Sequence, residues 1–336
     1  MKDILVTGAP GWLCDVLLPE IGKSAAGGNV RCLVQRSLPG EKIAAWQKEH
    51  PEVSHVLSGD LADVPSLEAA CKDLSGGTVL HAAGVIHPRN TSEWYRINRD
   101  GTLALANAAK KVGAKRFVYV SSNAAQGASS SSSVLLTEDM PDNPGSHYGR
   151  SKLQAERGLM QLHEAGKFDV VVLRPCMFYG PPVPGRHVDI FKRIMNGRLP
   201  LVGSGDYARS LSYIDDLVAG TMLGMTHPKA AGEVFNICDA RAYSTREVCD
   251  AMAAALGVPA KFIPLPGICA TLARGVDVTL AACGVYSMPF HLLGEANWNV
   301  GCSSQKATDL LGFKPSVDVF EGYRRAVSWC RERKLV

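Results

Sequence analysis

Cysteine patterns that bind metals or form disulfide frameworks are missing from this sequence. Its ten cysteines are scattered singly, with no Cys-x-x-Cys pair and no cluster with histidine. This distribution excludes the common zinc patterns and favours free thiols in a reducing compartment. The chain also passes almost directly from its first residue into an apolar run, so we expect no signal peptide. The sequence therefore predicts a cytoplasmic protein without a metal site.

A strong charge of either sign is absent as well. The formal net charge of +4 is small and spread along the chain, and no basic run has the length found in nucleic-acid-binding arms. We therefore expect no nucleic-acid partner. The chain has 336 residues, of which 46% are hydrophobic and 20% charged. Those values are typical of a globular protein with one large domain or two ordinary ones.

Long hydrophobic runs are also lacking. The most apolar part, residues 262–293, is interrupted by Arg274, Asp277 and His291. No charge-free run there reaches the ~18 residues that a membrane span needs. The segment is interpreted as a core or substrate-lining helix pair, or alternatively as a surface that contacts a membrane or accepts an apolar substrate. Membrane contact is therefore possible but is not predicted.

Short β-type runs alternate with longer helical stretches through the first half of the chain. The predicted strands cover residues 4–7, 30–34, 53–58, 79–82, 117–121 and 170–173. The predicted helices between them cover residues 13–23, 65–73, 94–112 and 148–164. This alternation predicts the α/β class, with a Rossmann-type doubly wound parallel sheet and helices on both of its faces.

The pattern changes near residue 180, where prolines and glycines cluster and the regular alternation ends. We therefore predict a dinucleotide-binding Rossmann domain over residues 1–180. Residues 181–336 would form mainly a smaller C-terminal substrate-binding lobe, with some segments returning to the first domain.

The stretch after the first strand has the form of a dinucleotide-binding turn. Gly8 and Gly11 match the first two glycines of a strand–turn–helix unit in which the backbone approaches a pyrophosphate. Cys14 stands at the third glycine position, where a small thiol is a tolerable departure. Trp12 and Leu13 begin the following helix and are candidate cofactor contacts. The alternative is an ordinary glycine turn after a buried strand.

Tyr148 and Lys152 are four residues apart near the start of a predicted helix, so their side chains share one face. An unperturbed tyrosine titrates near ~10, and acid–base chemistry at neutral pH needs a neighbouring positive charge. Lys152 can supply that charge. Ser122 follows a predicted strand at the carboxyl edge of the sheet, where ligands of open α/β sheets bind.

Several motifs in this order resemble the extended short-chain dehydrogenase/reductase family. They are Gly8 with Gly11, Asp60-Leu61, His81-Ala82-Ala83-Gly84, Asn98, Ser122, Tyr148 with Lys152, Leu173-Arg174-Pro175, and residues 209–216. The resemblance implies that Tyr148 is the proton donor or acceptor and that Lys152 lowers its pKa and holds the nicotinamide ribose. It further implies that Ser122 hydrogen-bonds the substrate oxygen and that Asn98 supports the proton relay.

The same resemblance implies the position of a nicotinamide dinucleotide and an oligomeric state. The residues along the cofactor would be Asp60, Leu61, Ala82, Ala83, Gly84, Pro175 and Met177. The family likeness also implies a homodimer built from the helices at 101–112 and 148–163.

The end of the second predicted strand indicates which nicotinamide cofactor is preferred. NAD enzymes of this kind place an acidic residue there, which binds the ribose hydroxyls. Val34 stands at that position here, and Arg36 follows it. The missing acid and the nearby guanidinium suit a 2′-phosphate, so NADP is favoured over NAD. Arg36 is equally compatible with a solvated loop cation.

Two branches of the family, which differ in their substrates, are compatible with the sequence. Sugar-nucleotide epimerases and dehydratases usually carry asparagine where this chain has Met177, yet Arg209 matches their later arginine. The other branch resembles 3β-hydroxysteroid dehydrogenase and dihydroflavonol reductase, and a pocket lined by Met177, Phe178 and parts of 268–293 favours it. We expect ketone–alcohol interconversion on a mostly apolar small molecule, with Asn123, Met177, Phe178 and Arg209 as substrate contacts. A non-catalytic dinucleotide sensor is a third hypothesis.

Overall fold

A computed structural model describes residues 2–25 and 27–336. The strands are β1 (Ile4–Thr7), β2 (Val30–Gln35), β3 (His55–Gly59), β4 (Thr78–His81), β5 (Arg116–Val120), β6 (Asp169–Pro175), β7 (Met177–Tyr179), β8 (Leu199–Val202), β9 (Ala208–Arg209), β10 (Leu211–Tyr213), β11 (Glu233–Ile237), β12 (Tyr243–Ser244) and β13 (Phe262–Leu265). The helices are α1 (Trp12–Ser24), α2 (Gly40–Glu49), α3 (Val64–Cys71), α4 (Thr91–Trp94), α5 (Thr102–Lys111), α6 (His147–Leu162), α7 (Gly185–Met195), α8 (Ile214–Thr226), α9 (Thr245–Leu256), α10 (Gly267–Ala282), α11 (Met288–Gly294), α12 (Gln305–Leu311) and α13 (Val319–Glu332). A π-helical turn, Tyr95–Gly101, joins α4 to α5.

The main sheet is parallel and doubly wound. Within the described ranges it has seven strands in the order β3-β2-β1-β4-β5-β6-β11. Side chains alternate across the sheet: Ile4 packs in the cluster that contains Leu17 of α1, whereas Leu5 packs in the cluster that contains Leu105 of α5. Helices therefore cover both faces, and the predicted Rossmann architecture is confirmed. Strand order reverses between β1 and β4, which makes their carboxyl ends the expected ligand site.

Three features of the fold differ from the sequence-based expectation. The prediction missed β11, which pairs in parallel with β6 and returns the second half of the chain to the main sheet. It also missed α2, in which Trp46 is the one buried residue, so the helix has few apolar residues to indicate it. The helix predicted over residues 94–112 is divided by the π-helical turn, in which Asn98 and Ile97 are buried.

The division into a Rossmann domain and a smaller substrate-binding lobe stays a prediction. The elements outside the main sheet that would form the lobe include α7, α9, α10, α11 and short strand pairs, among them β7 with β10 and β8 with β13. β7 follows β6 after one residue, so the lobe begins where the sheet ends. None of the helices in the described ranges combines the length and apolar character needed to cross a membrane.

Candidate active site

Two adjoining cavities, together called the groove, lie over the carboxyl ends of β1 and β4. One part, about 350 Å³ in volume, is lined by residues that include Gly8, Val34, Gln35, Asp60, Leu61 and Ala83. The other part, about 240 Å³, is lined by residues that include Trp12, Leu13, Ser122, Tyr148, Lys152 and Pro175. Gly8, Ala82 and Gly84 line both parts. Most of the residues predicted around a dinucleotide therefore face one elongated space.

The turn after β1 leaves bare backbone facing this groove. Gly8 has a φ of +100°, and a Cβ added there would lie 2.8 Å from the carbonyl carbon of Ala82. A Cβ at Gly11 would collide with the carbonyl oxygen of Gly8. Only glycine fits both positions, and the free N–H groups at the start of α1 can then reach a phosphate. The residues present fit a nicotinamide dinucleotide.

His81 links three elements beneath the groove by hydrogen bonds. Its ring nitrogens hydrogen-bond Thr7 Oγ1 at 2.6 Å and Thr102 Oγ1 at 2.8 Å, which links β4 to β1 and α5. Complete burial lowers the pKa of His81 to about 3. With both ring nitrogens hydrogen-bonded, the neutral His81 ring fixes the positions of the strand ends.

Asn98 holds the chain segment that follows β4. Its Oδ1 accepts from the Val85 N–H at 2.7 Å, and its Nδ2 donates to the Val85 carbonyl at 2.9 Å. The side chain is buried and does not line the groove. The predicted proton-relay role stays a prediction, because the contacts present are those of a residue that fixes Gly84 and Val85 beside the cofactor path.

Ser122, Tyr148 and Lys152 meet at one end of the groove. Lys152 Nζ donates to the Val120 carbonyl at 3.1 Å and lies 6.0 Å from the centre of the Tyr148 ring. Ser122 follows β5, and its hydroxyl accepts from the Ala124 N–H at 3.2 Å. All three side chains line the same wall. The helix α6 and the end of β5 thus supply a phenol, an ammonium and a hydroxyl to one site.

Burial controls the protonation of this cluster. Desolvation raises the pKa of Tyr148 to about 12, against a lowering contribution from its hydrogen bond to Ser122. Desolvation also lowers the pKa of Lys152 to about 8, while the charge of Glu156 opposes that change. At neutral pH Tyr148 is a protonated phenol and Lys152 is mostly charged. The cluster can therefore donate a proton to a keto oxygen, and the ammonium would stabilise a phenolate in the reverse direction.

Two predicted groove residues are not in its lining. Arg36 is largely exposed, and its guanidinium pairs with Asp63 at 2.8 Å. Gln35, one residue earlier, lines the groove instead. Met177 is 53% exposed, whereas its neighbours Cys176 and Phe178 line the groove, as the alternation of side chains along a strand requires.

Arg209 and Asn123 are also outside the groove lining. Arg209 Nη2 donates to the carbonyls of Glu295 and Ala296 at 3.1 and 2.8 Å, and its Nε donates to Thr245 at 3.1 Å. It therefore anchors the chain after α11. The amide oxygen of Asn123 lies 3.4 Å from Ser122 Oγ. Their roles toward a substrate stay predictions.

Arg186 is a groove residue that the sequence analysis missed. It lies at the start of α7 and lines the same part as Tyr148, Trp12 and Phe178. It follows the proline- and glycine-rich stretch after β7, which we interpreted only as a change of domain. The sequence did offer a signal for Arg186. It is a cation that directly follows a turn at the carboxyl edge of the sheet, where ligands bind.

Comparison with known proteins identifies the family. The sequence profile of the NAD dependent epimerase/dehydratase family matches residues 4–238. The chain belongs to this enzyme family. It is 36% identical over 97% of its length to Uncharacterized protein y4nL of Sinorhizobium fredii, covering 94% of that protein. It is 29% identical to UDP-glucose 4-epimerase of Vibrio cholerae over 80% of each chain.

A solved structure supports the fold of the whole chain. MoeE5 in complex with UDP-glucose and NAD superposes with a TM-score of 0.73, over 99% of this chain and 100% of that one, at 24% identity. The likeness therefore concerns the architecture, from the parallel sheet to the smaller lobe.

The buried ammonium of Lys152 yields a prediction about stability. The unfolded chain binds its proton with the ordinary pKa of 10.5, the folded protein with about 8. The cost of burying the charge is therefore full below pH 8 and disappears as the pH rises toward 10.5. This difference between the folded and unfolded pKa of Lys152 corresponds to roughly 3 kcal/mol of lost stability below pH 8. Replacing Lys152 removes that cost but also removes its hydrogen bond to Val120, which is worth about 1 kcal/mol. Lys152→Met should raise the free energy of unfolding by about 2 kcal/mol near pH 7.

Urea unfolding near pH 7 and near pH 10 measures this effect. The gain from Lys152→Met should shrink or change sign at the higher pH. Lys42→Met, at an exposed position on α2, is the matched control and should show no such pH dependence. A loss of stability that is equal at both pH values would contradict the argument.

Proposed function

We propose that the protein transfers a hydride between a nicotinamide cofactor and a carbon that bears a secondary hydroxyl, on a sugar joined to a diphosphate. The observation that carries this proposal is the meeting of Ser122, Tyr148 and Lys152 in one part of a groove whose other part is lined by Asp60 and Leu61. A bound nicotinamide would supply the hydride acceptor and donor.

The residues of the chain have separate tasks in this scheme. Tyr148 removes the hydroxyl proton during oxidation and returns a proton to the oxygen during reduction. Lys152 stabilises the phenolate form by charge, and Ser122 hydrogen-bonds the reacting oxygen. If one cofactor remains bound through both half-reactions, the result is epimerisation or dehydration without net redox change. Release between them gives an ordinary dehydrogenase.

The diphosphate part of the proposal rests on Arg186 and on the relatives. Arg186 brings a guanidinium to the part of the groove that contains Tyr148, and guanidinium groups bind phosphates in two-point geometry. The relative from Vibrio cholerae is named for UDP-glucose, and MoeE5 was solved with UDP-glucose. We therefore place the sugar-nucleotide alternative ahead of the apolar ketone favoured by the sequence.

An apolar substrate remains the second candidate. Phe178 and Ile86 line the reacting end of the groove, and the guanidinium expected to bind a diphosphate, Arg209, is occupied by backbone carbonyls. A homodimer through α5 and α6 is proposed on the family resemblance alone.

The first prediction from the proposed function concerns the proton-transfer group. Tyr148→Phe removes one hydroxyl and should lower turnover by at least ~10²-fold, the scale of general acid–base catalysis, with cofactor affinity nearly unchanged. Tyr95→Phe is the matched control, because the Tyr95 hydroxyl contacts His147 at 2.8 Å without lining the groove part that contains Tyr148. Normal turnover of folded Tyr148→Phe would refute the assignment.

The second prediction concerns cofactor preference, for which we propose NADP. The ion pair of Arg36 with Asp63 is exposed and therefore weak, so a 2′-phosphate could replace the carboxylate. NADPH should bind more tightly than NADH, and Arg36→Ala should reduce that preference by about 10- to 100-fold, the range of a charge-assisted contact. Asp63→Asn should strengthen it. Calorimetry with both cofactors tests this, and tighter binding of NADH to the unaltered protein would overturn it.

The third prediction concerns the substrate. UDP should raise the melting temperature, because a ligand that binds only the folded state stabilises it by ~2.7 kcal/mol at 100 times its dissociation constant. Arg186→Ala should remove most of that rise, whereas Arg193→Ala, on the same helix but outside the groove lining, should retain it. If nucleoside diphosphates give no shift while apolar ketones do, the second candidate replaces the first.

A further inference from the structure

The helices α10 and α11 form a hairpin, residues 267–294, whose outer face is apolar. Large hydrophobic side chains project from both helices: Leu272 is 64% exposed, Ile268 59% and Leu292 56%. The other exposed large apolar residues of the hairpin are Val276, Val278, Val285, Met288 and Phe290. Exposed large apolar side chains concentrated on one hairpin of a folded protein mark an interaction site. Val278 and Val285 also line a small cavity beside His147 and Arg150.

The inner face of the hairpin is packed with small residues. Ala270, Ala273 and Gly294 are buried between the helices and the body of the protein. A Cβ at Gly294 would lie 3.0 Å from Cα of Arg274, so α11 approaches α10 closely. The inner side has no room for the large apolar side chains, so they must lie on the outer side when the hairpin is packed against the protein.

The ionisable side chains of the hairpin point inward. Arg274 donates to the Gly145 carbonyl and lies over the Trp298 ring, 4.7 Å from its centre. His291 Nδ1 lies 3.2 Å from Asp277 Oδ2. These groups pair with one another and with the body of the protein, which leaves the outer face without charge. The usual arrangement, polar outside and apolar inside, is reversed.

A cation lies beside the turn of the hairpin. Arg89 is exposed and precedes Asn90, which pairs with Val285 at the turn between α10 and α11. The hairpin itself exposes no acidic side chain, because Asp277 is buried. An apolar face without acidic groups and with a basic residue beside it matches a bilayer surface that carries anionic headgroups.

A protein partner fits the face less well than lipid does. Protein interfaces carry about one hydrogen bond per 100–200 Å², but the exposed side chains here are mostly hydrocarbon. The hydroxyl of Thr279 is already donated to the Gly275 carbonyl within α10. Helical backbone groups are satisfied internally, as a hydrocarbon environment requires.

We propose that the outer face of the α10–α11 hairpin docks onto an anionic lipid bilayer. α10 has 16 residues, about 24 Å of helix, and it would lie in the plane of the interface with Ile268, Leu272 and Leu292 among the acyl chains. This docking does not depend on the proposed function, because it uses none of the groove residues.

Sedimentation with lipid vesicles tests the proposal. The protein should sediment with vesicles of phosphatidylcholine mixed with phosphatidylglycerol, and more weakly with vesicles of phosphatidylcholine alone. Leu272→Asp combined with Leu292→Asp should weaken binding by at least about tenfold, the factor expected from losing the burial of even one leucine. Phe320→Asp, at an exposed apolar site on α13, is the matched control and should bind like the unaltered protein. Both positions are exposed, so folding should be preserved, which thermal unfolding verifies.

Three outcomes would overturn the proposal. The unaltered protein could remain in the supernatant with both kinds of vesicle. The double variant could bind as well as the Phe320→Asp control. Light scattering without lipid could show an oligomer that the double variant dissociates, in which case a second copy of this chain is the occupant. Binding of vesicles by Tyr148→Phe would separate this surface from the catalytic proposal.

Discussion

The candidate site depends on a buried line of charge along α6. Tyr148, Lys152 and Glu156 follow one another at intervals of four residues, so they share the helix face that packs against the ends of β5 and β6. Glu156 is held by Arg174 at 2.6 Å and by the Ser121 hydroxyl. This alternation of signs lets an ammonium remain buried next to the phenol, since an isolated buried charge would be far more costly. It also explains why Arg174 on β6, which does not line the groove itself, supports the candidate proton-transfer residues through Glu156.

Those parts of the site that depend on local sequence were predictable. The turn after β1, the strand ends at Asp60 and Ser122, and the spacing of Tyr148 from Lys152 each lie within one short stretch, whose geometry follows from glycine, strand and helix rules. The parallel sheet with helices on both faces also followed from the alternation of elements. The helix α2 gave less signal because Trp46 is its one buried residue. The edge strand β11 gave less signal because it is defined by pairing with β6, which is distant in sequence.

Side chains whose partners are distant in sequence could not be placed in this way. Arg209 stands in a motif that suggests phosphate binding, but its carbonyl partners at Glu295 and Ala296 follow 86 and 87 residues later. Arg36, which follows β2, pairs with Asp63, which follows β3. Met177 faces away from the groove because side chains alternate along β7. In each case the residue type was informative, whereas its direction was set by tertiary contacts.

The hairpin of α10 and α11 connects the site to the outer surface. Its inner charges reach the segment before α6 through the bond from Arg274 to Gly145, three residues before Tyr148. Trp298 packs against the same glycine, where a Cβ would collide with its ring. Arg209 fixes the far end of the hairpin from below. The contacts that hold this segment lie on its inner side, so a polar exterior would be compatible with its packing. The exposed hydrocarbon there is therefore not explained by the fold, which supports the proposed docking surface.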